Sequence, residues 1–304
     1  MRTGLRGHRL AAALAVRVRL LILLHILLLV PSVHGQAPRV PFSGIYGGTA
    51  GAGAITGWDR SGGGDNPATL GAPGWTAGVA AYAPFGIEGL RVAEASVAWD
   101  RARWGLSGSY TGMFAQGSEG SGGGDGVGGV QATGVGLQSA MRLGRGLTLG
   151  VAGDYHTEPG VGGAGGAVGL LWRPQSWGSL GAFWNRETST WGDAMRAGAG
   201  AEGGFDFFGV AWRLCAEAIY ASEQSGGEWA FRFATGLRLH PLLSIYAGLD
   251  PARETAALGV RFGIGDWEGF SAMRRHRSLG GTTVQGIRWY HVDKKMIKPK
   301  TNFE

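Results

Sequence analysis

Glu228-Trp229-Ala230-Phe231-Arg232-Phe233-Ala234-Thr235-Gly236-Leu237-Arg238-Leu239-His240 alternates without a break. Trp229, Phe231, Phe233, Leu237 and Leu239 fall on one side, and Glu228, Ala230, Arg232, Ala234, Gly236, Arg238 and His240 on the other. A period of two with one apolar face is the signature of a β-strand. The run is long: globular strands cluster at about 5–6 residues, whereas a strand that crosses an outer membrane needs about 9–11. The face opposite the apolar one carries small residues and a few charges, as the lining of a narrow lumen would.

The pattern repeats along the chain. Leu147, Leu149 and Val151 alternate against Thr148, Gly150, Ala152, Asp154 and His156, and Val210, Trp212 and Leu214 against Arg213, Cys215 and Glu217. The apolar sets, with Trp229, Phe231 and Phe233, are assigned to lipid; Thr148, Asp154, Arg213, Glu217, Arg232 and Arg238 are assigned to the lumen. Segments of this kind fall near 75–82, 89–100, 103–114, 129–143, 146–157, 163–173, 177–187, 195–204, 207–221, 228–240, 242–251, 255–264, 267–275 and 282–291. Fourteen is even, as single-chain bacterial barrels require. The expected fold is all-β: a closed antiparallel transmembrane β-barrel of about 14 strands over residues 75–292, preceded by an N-terminal plug segment over 36–74.

Composition agrees. Glycine supplies 59 of 304 residues, and charged residues only 16%, against about 7% and 25% in ordinary soluble proteins. Twelve tryptophans and 44% hydrophobic residues exclude a solvated disordered chain. Residues 1–35 read as a secretory signal peptide: Arg2, Arg6, Arg9, Arg17 and Arg19 precede an apolar stretch from Leu20 to Val30, and Val33 and Gly35 suit the cleavage positions. The basic balance of +6 is mostly this leader. Without its five arginines the body is nearly neutral, and no basic stripe is left for nucleic acid. Lys294, Lys295, Lys298 and Lys300 mark a basic tail over 293–304. The single cysteine, Cys215, excludes an internal disulfide and any CxxC site. No apolar run after the leader is long enough for a membrane helix.

Chemistry-bearing motifs are sparse. Gly160–Gly165 spells GxGxxG, a pattern that a chain this rich in glycine produces by chance. Ser-Gly-Gly-Gly-Asp occurs at 61–65 and 121–125, without the tandem period of a calcium repeat, and reads as flexible loop. Asp154 and His156 share a strand face and could serve as orienter and base, but enzymatic action would need a third group within reach of His156. Arg213 with Glu217, and Arg232 with Arg238 and Glu228, read as lumen charges that neutralise one another or form a polar binding site. No catalytic set, metal site or cofactor is expected, and the chain is read as a non-enzyme.

Gly44-Ile45-Tyr46-Gly47-Gly48-Thr49-Ala50-Gly51-Ala52-Gly53-Ala54 leads to Asp65-Asn66-Pro67-Ala68-Thr69-Leu70-Gly71 just ahead of the first strand. A small-residue segment followed by Asn-Pro-Ala resembles the outer-membrane fatty-acid transporter (FadL-like) superfamily, including its PorV/PorQ-type barrels associated with type IX secretion. The stretch Trp267–Tyr290, with Ser278-Leu279-Gly280-Gly281-Thr282-Thr283 between two strands, is similar to the final hairpin of that group. The resemblance implies an N-terminal segment folded into the barrel, with Asn66, Pro67 and Ala68 as its plug motif. It also implies an outer-membrane location and passage or binding of a hydrophobic or amphipathic small molecule. The alternative is a PorV/PorQ-like structural or secretion-associated component that docks a secreted-protein partner. Outer-membrane lipid is a partner in either case. On physical grounds residues 40–71 should lie against the barrel, since Ile55 and its apolar neighbours are costly to leave in water. Gly134, Gly136, Ala140, Gly198 and Gly200 would give them room.

Overall fold

The computed structural model describes residues 53, 55–56, 65–69, 74–87, 90–101, 103–115, 129–158, 161–175, 178–189, 192–208, 210–223 and 226–291; the expected leader, the connection 116–128 and the basic tail lie outside them. Fourteen strands follow one another: β1 (Gly74–Ala83), β2 (Leu90–Asp100), β3 (Trp104–Ala115), β4 (Gly129–Gly144), β5 (Leu147–Glu158), β6 (Val161–Gln175), β7 (Gly178–Ser189), β8 (Gly192–Phe207), β9 (Val210–Glu223), β10 (Gly226–His240), β11 (Leu243–Asp250), β12 (Thr255–Ile264), β13 (Trp267–His276) and β14 (Gly280–His291). Each pairs antiparallel with the next, and β1 closes on β14 from Trp75↔His291 to Ala83↔Thr283. Closure leaves no strand edge to satisfy, which a bilayer demands.

Side-chain alternation sets inside and outside. On β1, Trp75, Ala77, Val79 and Ala81 are exposed outward while Thr76 and Tyr82 are buried. The outer wall presents Val79, Val97, Leu106, Leu137, Val151, Leu170, Trp184, Phe231, Leu258, Phe262 and Ile287, all exposed. A contiguous apolar exterior of this kind is stable only against lipid, so the barrel is of the outer-membrane type. Both the start of β1 and the end of β14 lie at one rim, where the connections are two or three residues long; at the opposite rim they reach six between β1 and β2 and thirteen between β3 and β4.

One boundary differs from the alternation. A strand start was expected at 207, but Phe207 ends β8 and Phe208 makes the turn with φ of 51°. Their rings meet edge-on, and Phe208 is 91% exposed at the rim. Where residues on both sides of a reversal are apolar, period two does not mark the turn. The GxGxxG glycines from 162 to 165 belong to β6, a strand rather than the loop-to-helix junction a dinucleotide site needs.

Candidate functional site

The lumen is where the described part of the N-terminal segment meets the wall. Asn66 is fully buried, and its side chain makes three hydrogen bonds: Nδ2 donates to the carbonyls of Ile55 and Leu170, each at 2.9 Å, and Oδ1 accepts from the Ala68 amide at 2.9 Å. Pro67–Thr69 forms one 3-10 turn, with the Thr69 amide and hydroxyl both donating to the Asn66 carbonyl. Pro67 suits that turn because its ring fixes φ and its missing donor would have had no partner there. Further upstream, the amides of Gly53 and Ile55 donate to Glu217 Oε1 at 2.9 and 2.8 Å. Ile55 packs on Phe183 and Ile219, and the Ser179 hydroxyl donates to the Thr56 carbonyl at 3.2 Å.

Glycine on the wall makes this approach possible. A Cβ on Gly169 would stand 1.9 Å from Asn66 Oδ1, and one on Gly181 2.3 Å from the Ile55 carbonyl oxygen. Of the small residues expected to make room, Gly198 and Gly200 do face Ile55 and Thr56, whereas the space beside Gly134 and Gly136 is bounded by side chains of β3 and β5.

Charged groups tie the segment across the lumen. Asp65 receives Arg196 at 3.2 Å and Arg232 at 3.1 Å. Arg232, fully buried, also reaches Asp250 at 3.4 Å. Asp250 accepts from the Arg253 amide and faces its guanidinium at 3.8 Å. Burial pushes the Asp65 carboxyl up, but Arg196 and then Arg232 outweigh it and hold it below the ordinary carboxylate value. Burial and repulsion from Arg232 bring Arg253 down to about 10.

The lumen residues read from the sequence are placed inward, with different partners from those expected. Arg213 pairs with Glu202 at 3.2 Å rather than with Glu217, which instead holds the Gly53 and Ile55 amides. Arg232 pairs with Asp65 and Asp250, not with Glu228. Arg238 lies at the rim and donates to the Pro241 carbonyl at 3.2 Å. His156 meets Glu187 of β7, across the intervening β6, at 3.4 Å, while Asp154 is exposed on the same face of β5. Asp65, Arg196, Glu202 and Asp250 were missed. Asp65 closes a Ser-Gly-Gly-Gly-Asp run that reads as loop, and its partners are more than 130 residues away, which no local pattern reveals.

A second sector of the inner wall is apolar. Tyr82, Val92, Phe270, Ala272 and Val284 form one buried cluster, with Ala80 and Met113 against it. These residues come from β1, β2, β13 and β14, with Met113 from β3. The Tyr82 hydroxyl donates to Glu94 at 2.7 Å at the margin of the cluster. The expectation of a lining made only of small and charged residues is therefore corrected on this side. The available signal was the weak alternation of β2, where Leu90 and Val92 on the inward face and Val97 and Trp99 on the outward one are both apolar.

A closed barrel with an apolar exterior, a lumen with both polar and apolar sectors, and chain from its own N-terminal side hydrogen-bonded to the wall has the fold of outer-membrane β-barrels. No family model matches the chain, and no curated protein is similar to it in sequence at a significant level. Among solved structures, the chain is similar to the CymD monoaromatic hydrocarbon channel, at 13% identity over 82% of this chain and 97% of that one, with a TM-score of 0.53. It also aligns with the toluene transporter TbuX of Ralstonia pickettii, at 13% identity over 75% and 92% and a TM-score of 0.48. The KdgM porin in complex with oligogalacturonate aligns at 7% identity over 71% and 99%, with a TM-score of 0.42. At these identities the likeness is one of fold.

Proposed function

We propose that this chain is an outer-membrane channel of FadL-like type that passes or holds a hydrophobic or amphipathic small molecule, with its N-terminal segment as the plug. The observation that carries the reading is the apolar sector of Tyr82, Val92, Phe270, Ala272 and Val284 on the inner wall. These side chains stand on the inward face of β1, β2, β13 and β14, where a water-filled channel is lined by polar groups. Asn66-Pro67-Ala68, bonded to the wall at Leu170, supports the plug role that the resemblance assigns to it. The rim with two- and three-residue turns and both strand termini then faces the periplasm, and the opposite rim faces the outside of the cell.

Toluene is a suitable probe, being the size of a single aromatic ring. Saturation-transfer NMR on the purified barrel should show toluene bound, and Phe270→Asp should abolish the signal in protein that still migrates as folded barrel on an unheated gel. Equal transfer in the wild type and in Phe270→Asp would contradict the assignment of the apolar sector as the site.

A further inference from the structure

Two guanidinium groups in the half of the lumen nearer the outside of the cell lack full complements of acceptors. Asp250 ends β11 and caps the 3-10 turn Pro251–Arg253 by accepting from the Arg253 amide at 3.2 Å. The Arg253 side chain is mostly buried, with Nε 3.8 Å from Asp250. Its Nη1 is buried with no hydrogen-bond partner among the described residues. Arg274 stands on the neighbouring wall, paired with Ala257 of β12 and Thr282 of β14, and is buried. Its guanidinium has neither a hydrogen bond nor an ion pair among the described residues. The carboxylates of this cluster are engaged elsewhere: Asp65 receives Arg196 and Arg232, and Asp250 receives Arg232 and faces Arg253.

Arg253 is brought down to about 10 by burial first and by Arg232 next, with Arg196 and Arg274 acting in the same direction and Asp250 opposing them. A guanidinium removed from water without an acceptor is costly. A carboxylate is the matching group, because the guanidinium presents its N–H donors as a planar fork. Arg274 also continues the inward face of β13 above Phe270 and Ala272 of the apolar sector. Successive inward residues of a strand are about 7 Å apart, an interval that one aromatic ring carrying a carboxylate covers.

We propose that Arg274 and Nη1 of Arg253 receive the carboxylate of an aromatic acid whose ring lies on the Phe270 sector. This rests on the reading of that sector as a ligand site, and it narrows the ligand to one ring with a single carboxylate. A bare hydrocarbon fills only the apolar end and leaves the guanidinium donors unmet.

Calorimetric titration of the purified full-length barrel at neutral pH tests the assignment with three probes of one shape: toluene, 4-methylbenzamide and 4-methylbenzoate. The benzoate should bind about tenfold more tightly than the uncharged amide, as hydrogen bonds to a charged group imply. Arg274→Gln should abolish that preference while toluene and the amide bind as before. Arg145→Gln, in a turn at the opposite rim, should keep it. Equal affinity for benzoate and amide in the wild type, or a preference that survives Arg274→Gln, would overturn the proposal. Toluene binding without a benzoate preference sinks this site alone; a benzoate preference that needs Arg274, with no toluene binding, supports this site and sinks the hydrocarbon reading of the sector. Should Arg274→Gln fail to fold, Arg253→Gln takes its place, and an undiminished preference there would overturn the assignment.

Discussion

Gly181→Ala tests whether the wall holds the N-terminal segment where the hydrogen bonds place it. The new methyl would stand 2.3 Å from the Ile55 carbonyl oxygen and 2.9 Å from its carbon, closer than real Cβ contacts come, and backbone cannot swing aside as a flexible side chain can. Overpacking of this kind costs about 1–3 kcal/mol. The seated segment has enough binding to register the loss: Ile55 buries a large side chain at about 1.5–3 kcal/mol. Its amide bond to the Glu217 carboxylate adds about 1.5–3 kcal/mol. A penalty of 1–3 kcal/mol on the docked form raises the open population roughly 5- to 150-fold. Hydrogen exchange at the Ile55 amide should accelerate by that factor, while amides in the β7–β8 ladder keep their protection. Gly153→Ala is the control, since its Cβ would come no closer than 3.8 Å to the Gly165 carbonyl oxygen. Unchanged Ile55 exchange in Gly181→Ala, or equal acceleration in Gly153→Ala, would refute the docking geometry.

Arg232→Met removes the fully buried cation between Asp65 and Asp250 and should destabilise the barrel by about 3–5 kcal/mol in urea unfolding from lipid. Phe231→Arg, on the lipid face of the same strand, should cost about 2–4 kcal/mol near mid-membrane; the two neighbours therefore report opposite faces, and no loss at Phe231 would reverse the assignment. Because Asp65 has its carboxyl held below the ordinary value when docked, its contribution is fully present above about pH 4 and is lost as the pH falls through the lowered value. Exchange at Ile55 should accordingly rise below about pH 4 after correction for intrinsic rates, and Asp65→Asn should remove that acid response.

The barrel was legible because its physics is local. A strand such as 228–240, with lipid on one side and lumen on the other, writes its environment into every second residue, and fourteen such runs fix closure once edges are forbidden. The turn at Phe207–Phe208 was misplaced because aromatic residues at the membrane interface continue the apolar pattern through the reversal. In the lumen, local pattern gave the inward residues but not their partners. Arg232 was legible as inward on β10, but Asp65 and Asp250 come from the N-terminal segment and the end of β11, and only closure brings them together. The apolar sector was hidden for a related reason: Val92 and Phe270 face inward, where the rule that apolar means lipid fails, and only strand pairing across β13, β14, β1 and β2 gathers them.

The most direct test of the account is uptake across an intact lipopolysaccharide leaflet, which slows apolar solutes. A Gram-negative host without its own hydrocarbon channels should take up labelled toluene faster when it carries this barrel, and Phe270→Asp should return the rate to that of the empty host at equal amounts of folded protein. Toluene uptake identical with and without the wild-type barrel would contradict the central claim.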